Sequence, residues 1–149
     1  MDVPKRKLVA VRCRIADILN GKYVKRDDLS PGYVVTPFGL VVSRARIGGV
    51  VSQVYSNNEK TYGFVSVEDG TASIRVKFFN EDVKLLNGIN KGDWVEVIGR
   101  VREYNEERYL VVDGIARDNN PLRSALFRMD MVKYLKDFAE KRKIVLEPL

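Results

Sequence analysis

The stretch SVEDGTASIRVKFFN, Ser66–Asn80, sets an Asp69-Gly70 pair ahead of an alternating run. Asp-Gly provides the positive-φ positions of a tight turn, so the pair predicts a hairpin. Side chains on a strand point to alternate faces. Ile74, Val76 and Phe78 therefore share one face, and Arg75, Lys77 and Phe79 share the other. The first face predicts a core. The second should meet water, yet it carries two cations and a large ring.

Outward from this hairpin the pattern repeats. Residues 43–56 place Ala45, Ile47, Gly49 and Val51 on one side, with Gly48-Gly49 predicting a bulge or sharp coiling. Residues 61–68 alternate Gly63, Val65 and Val67 against Tyr62, Phe64 and Ser66. A short helical pattern around Val83, Leu85 and Leu86 precedes strands at 94–104 and 108–116. In 94–104, Val95, Val97, Gly99 and Val101 point inward. The order strand-strand-strand-helix-strand-strand is that of the five-stranded Greek-key OB barrel. Small residues at Gly49 and Gly99 let a strand bend across a barrel interior. A flat five-stranded sheet is the competing arrangement.

The predicted fold class is therefore an all-β core, an OB-fold barrel with an N-terminal strand/hairpin extension and a C-terminal α-helix. Four segments follow: 1–43, an extension packing on the barrel; 44–118, the barrel; 119–143, a helix; and 144–149, a tail. In the extension, 7–15 reads as a strand, residues 16–21 as a short turn of helix, and YVVTPFGLVV (33–42) as a hairpin covering one end or edge of the barrel. In segment 119–143 Asn120 suits the N-cap and Pro121 the first helical position, while Lys141, Arg142 and Lys143 suit the C-terminal end of the dipole. Leu122, Leu126, Met129, Val132, Leu135 and Phe138 read as one apolar stripe. Such a stripe packs either on its own barrel or, as expected here, against helices of other chains in a small bundle. Its acidic breaks and lack of Trp argue against a membrane surface.

The chain has no histidine and a single cysteine, Cys13. That removes the commonest general base, the usual metal ligand, any internal disulfide and every Ser-His or Cys-His arrangement. No phosphate-binding glycine loop or dense acidic cluster is present. The expectation is a binding protein without catalytic residues, metal, cofactor or small-molecule substrate. Cys13 lies in an apolar run and is expected to be packed rather than reactive. No run is long enough for a membrane span and no secretory signal is visible, so a cytoplasmic, nucleoid-associated location is expected.

The net charge of +6 is uneven. Residues 1–43 carry eight Lys/Arg against four Asp/Glu, and 120–149 carry seven against four. Between them eleven stand against twelve, so the barrel itself is near neutral and the excess lies on the flanks.

Within an OB arrangement the second and third strands and the neighbouring turns form the binding face. Single-stranded nucleic acid needs cations for phosphates and flat rings for bases. Phe79, Arg75 and Lys77, with Tyr62 and Phe64, interleave both on one surface, and Tyr104, Arg100 and Arg102 extend it. Aromatic cross-strand packing, a protein interface or an ordinary solvated surface would use the same residue types.

Taken together, YVVTPFGLVVSRARIGGVVSQV, YGFVSVEDGTASIRVKFFN, KGDWVEVIGRVREYNEERYLV and the terminal helix resemble the small OB-fold subunits of replication protein A, in particular the archaeal ones. The resemblance implies a heterotrimer that coats single-stranded DNA in replication, recombination and repair. It implies two other OB-fold subunits as partners, held through a C-terminal three-helix bundle. It places the family's stacking aromatics at Phe79 and Tyr104. The zinc ribbon of the large subunit and the winged-helix domain of the middle subunit are absent, which implies the smallest subunit or a truncated middle one. Two rivals stand beside it: a structural assembly subunit whose barrel face binds protein, and an RNA-binding OB-fold protein of translation.

Overall fold

The computed structural model describes residues 10–25, 32–118 and 120–141. In chain order the elements are β1 (Val11–Arg12), α1 (Ile15–Asn20), β2 (Lys22–Val24), β3 (Tyr33–Val35), β4 (Val41–Val42), β5 (Arg44–Ser56), β6 (Tyr62–Glu68), β7 (Ser73–Phe79), a 3₁₀ helix (Asn80–Leu86), β8 (Trp94–Tyr104), β9 (Glu107–Arg117) and α2 (Pro121–Lys141). The first part of the 7–15 strand, Arg142, Lys143 and the 144–149 tail lie outside the described residues.

The predicted hairpin forms with β6 against β7, from Tyr62↔Phe79 to Glu68↔Ser73. Strands then pair in the order β5-β6-β7-β9-β8, and β8 pairs back onto β5, so the sheet closes into a five-stranded barrel. The pairs are antiparallel except β7 with β9, which run parallel. The flat-sheet alternative is thereby excluded. Ile47, Val51, Val65, Val67, Val76, Phe78, Val95, Val97, Val101 and Leu110 fill the interior, buried as their alternation requires. Each such side chain contributes about 1.5–3 kcal/mol relative to exposure. Gly49 is core-facing as expected: a Cβ there would stand 2.9 Å from Cγ1 of the fully buried Val67 and would strike the Glu68 carbonyl.

Both barrel mouths are plugged. The 3₁₀ helix buries Val83 and Leu86 at one end. At the other, α1 inserts Ile15 and Ile18, with Cys13 just before it, all fully buried. The turn that announced the hairpin also holds this helix. Asp69 Oδ2 accepts from the Ile15 N–H at 2.9 Å, and Thr71 Oγ1 accepts from the Ala16 N–H at 3.2 Å, satisfying first-turn donors. Arg108 Nη1 caps the other end, donating to the carbonyls of Ile18 (2.7 Å), Leu19 (3.2 Å) and Gly21 (2.7 Å). The 33–42 segment forms the expected hairpin of β3 and β4, joined by β2, and buries Val34, Leu40 and Val42 in the same core. β1 pairs parallel to β5.

The terminal helix departs from the expectation. Asn120 is the N-cap, its Oδ1 accepting from the Leu122 N–H at 3.0 Å. The five of the six apolar residues whose side chains are described do not form one stripe. Phe127, Met131 and Leu135 lie buried against Trp94 of the helix's own barrel, with Phe127 and Trp94 ring centroids 5.9 Å apart. Gly48 makes room for them, since a Cβ there would stand 2.7 Å from Phe127 Cε1 and 2.9 Å from Trp94 Cζ2. Leu122, Leu126, Met129 and Val132 are exposed instead. The reason is helical drift: each three-residue step falls about 60° short of a full turn, so the run 126, 129, 132, 135 walks round the helix. Leu135 is thus corrected from a partner contact to a barrel contact. The Phe138 side chain lies outside the described residues.

Burial and the nearby Asp17 and Asp69 carboxylates push the Cys13 thiol well above its ordinary range. It should therefore resist Ellman's reagent in the folded protein and react once denatured. Prompt stoichiometric labelling of the native chain would contradict this placement.

Candidate nucleic-acid interface

The outer wall of β5, β6 and β7 carries a row of rings. Cross-strand partners Tyr55 and Phe64 lie 5.4 Å apart between ring centroids, and partners Tyr62 and Phe79 also 5.4 Å. Tyr62 links the pairs, 6.3 Å from Tyr55 and 6.4 Å from Phe64. Such tilted pairs are each worth about 0.5–1.5 kcal/mol. The row is thus a rigid platform.

Tyr55 was not among the residues picked from the sequence. Uninterrupted alternation from Ala45 points it inward. The β5 register shifts between Val51 and Gln53, where a bulge reverses the parity, so Tyr55 joins Phe64 on the outer wall. The Gly48-Gly49 pair signalled irregularity in this strand but not its position.

The sequence-derived residues divide in their roles. Phe79 is 41 % exposed and Tyr62 half-buried, so both present ring surface. Phe64 is only 7 % exposed, because Arg75 lies over its face with the guanidinium carbon 4.4 Å from the centroid. It is the base of the platform rather than an open stacking surface. Arg75 and Lys77 share the outer side of β7 with Phe79, and both meet Glu107. Lys77 Nζ donates to Glu107 Oε1 at 2.7 Å, and Arg75 Nη1 stands 3.9 Å from Glu107 Oε2. The Lys77 ammonium also sits 3.9 Å from the Tyr109 ring centroid.

Tyr104 is 68 % exposed at the start of the β8–β9 turn. Asn105 and Glu106 form that turn with φ of 49° and 65°, a two-residue hairpin of the kind that matches strand twist. On the opposite flank the β5–β6 turn is laced by Asn57. Its Oδ1 accepts from the N–H groups of Thr61 (3.0 Å) and Tyr62 (3.1 Å), and its Nδ2 donates to Thr61 Oγ1 at 2.8 Å.

Arg100 stands apart from this group. Register places it on the same rung as Lys77, with Val111 between them, but its guanidinium pairs with Asp113 at 3.2 Å, as does that of Arg44 at 3.1 Å. Arg102 is half-buried beside Tyr109, and its Nη1 donates to the Val101 carbonyl at 2.9 Å. The structure therefore joins Tyr62, Phe64, Arg75, Lys77 and Phe79 with Tyr55, flanks them with Tyr104, and leaves Arg100 and Arg102 on the neighbouring wall.

Residues 45–116 match the family described as OB-fold nucleic acid binding domain. The barrel is an OB fold. A chain of a replication protein A heterotrimer bound to single-stranded DNA is similar to it, with a TM-score of 0.71 and 19% identity over 88% of this chain and 98% of that one. A chain of yeast replication protein A bound to single-stranded DNA gives 0.66 and 21%, over 88% of this chain and 92% of that one. A chain of the Stn1–Ten1 complex of S. pombe gives 0.67 and 17%, over 74% of this chain and 83% of that one. At these identities the likeness is one of fold. With replication protein A it covers more of the chain than the OB barrel alone. No curated protein sequence matches.

Exposure separates the roles of the rings. Phe64→Ala should cost about 3 kcal/mol of stability, as for a buried aromatic. Phe79→Ala should cost about 1 kcal/mol, the worth of its pair with Tyr62, and Tyr104→Ala about 0.5 kcal/mol. Urea unfolding followed by Trp94 fluorescence measures the order, and equal losses for Phe64 and Tyr104 would refute it.

Proposed function

We propose that this chain is a non-catalytic subunit of a single-stranded DNA-binding complex, acting at the nucleoid in replication, recombination and repair. The observation that carries the reading is the row of Tyr55, Tyr62 and Phe79 rings flanked by Arg75 and Lys77 on the outer wall of β5–β7. Bases stack on such rings whatever their identity, at about 1–3 kcal/mol per base, and the cations take the phosphates. Tyr104 closes over the strand from the β8–β9 turn. The likeness in fold to replication protein A chains, extending past the barrel, supports the same reading.

Assembly falls to the outward side of α2. Leu122 and Met129 are 64 % and 68 % exposed, with Leu126 and Val132 beside them. Their opposite face is already occupied by the barrel. Two further helices from OB-fold partners would cover this outward side in a three-helix bundle. Among the described residues no helix is long and apolar enough to cross a membrane.

Fluorescence anisotropy with labelled oligo-dT tests the first claim. Affinity should fall as salt rises, and Phe79→Ala and Tyr104→Ala should each lose about 1–3 kcal/mol of binding with the fold retained. Binding by neither the chain nor its assembled complex would reject the reading. Tighter binding of the matching RNA would favour a translation module instead. For assembly, co-expression with partner OB subunits should give a complex that the double variant Leu126→Asp, Met129→Asp loses while its thermal unfolding stays unchanged. Co-elution of that variant would reject the bundle.

A further inference from the structure

We infer that Glu107 is a resident anion of the strand-binding face: it holds Lys77 and Arg75 in the place of a backbone phosphate and is exchanged for one on binding. The inference rests on the reading of that face as a nucleic-acid site. Lys77 and Arg75 stand two residues apart on one side of β7, and the two oxygens of one carboxylate lie 2.7 Å and 3.9 Å from their nitrogens. Each cation also lies over a ring, Lys77 over Tyr109 at 3.9 Å and Arg75 over Phe64 at 4.4 Å. The pair is thereby held ready for a singly charged group with two oxygens. A phosphodiester, with one charge and two non-bridging oxygens, has the same valence as the carboxylate.

Glu107 is also placed to leave. It is the first residue of β9, half-exposed, and its cross-strand partner is Tyr104 across the two-residue turn. A phosphate that takes its place moves the carboxylate toward water next to the ring expected to close on a base. Because a tethered carboxylate competes at high effective concentration, the native face binds more weakly than its rings and cations permit. It also meets the strand with one net charge fewer.

Glu107→Gln keeps the size of the side chain and removes the competitor. Oligo-dT binding at low salt should tighten about five- to tenfold, and the slope of log affinity against log salt should steepen by about 0.7, one phosphate's worth for a single strand. Glu106→Gln, the same charge change one residue away, should alter affinity less than about twofold. Thermal unfolding verifies that both variants fold, and Glu107→Asp, with a shorter reach to Lys77, should fall between. If the native chain binds and Glu107→Gln binds no tighter than Glu106→Gln, the resident-anion role is overturned while the nucleic-acid reading stands. If no variant binds at any salt, alone or in the assembled complex, both fall together.

Discussion

The closed ring of strands has its shortest seam where β7 and β9 run parallel. Val76↔Leu110 and Lys77↔Val111 are the registered contacts by which β9 lies alongside β7 and the sheet becomes a barrel. Val76 and Leu110 point inward and are fully buried. Lys77 points outward, and the same register brings Glu107 and Tyr109 to it. The register that aligns β9 with β7 therefore also assembles the outer cluster of rings and cations. The start of β9 works on both sides of the wall: Glu107 reaches the outer cations, while Arg108 reaches the mouth and caps α1.

The face is built from rings more than from charge. Its two cations share one carboxylate, and the next pair along the wall, Arg44 and Arg100, share Asp113. Further round, Arg46 pairs with Glu96 and Arg12 with Asp130. A wall so compensated exerts little long-range attraction on a polyanion. What it offers is a fixed platform, since Tyr55, Phe64, Tyr62 and Phe79 brace one another across three strands. A strand bound there would be held by stacking, which reads no sequence, with phosphate contacts as a lesser share.

The terminal helix is docked on the barrel by one side only. Phe127, Met131 and Leu135 fix it to Trp94 and to the floor left open by Gly48. Its opposite side keeps Leu122, Leu126 and Met129 in water. A helix with apolar residues on two sides loses less by docking one of them at once, because its backbone is then already ordered when a second surface arrives.

Local pattern was enough for much of this. The Asp69-Gly70 turn, the period-two runs, the core placement of Phe78 and the shared face of Arg75, Lys77 and Phe79 all follow from neighbours along the chain, and the order of elements pointed to the OB barrel. The N-cap at Asn120 was equally legible. Three things were decided only in the folded state. The bulge in β5 turned Tyr55 outward, Arg75 covered Phe64, and the barrel claimed Leu135 from a stripe that on paper belonged to one face. Each depends on a partner from another element, and strand parity or helical spacing carries no information about such a partner. Alternation tells which side a residue takes, while only the packed barrel determines what already stands there.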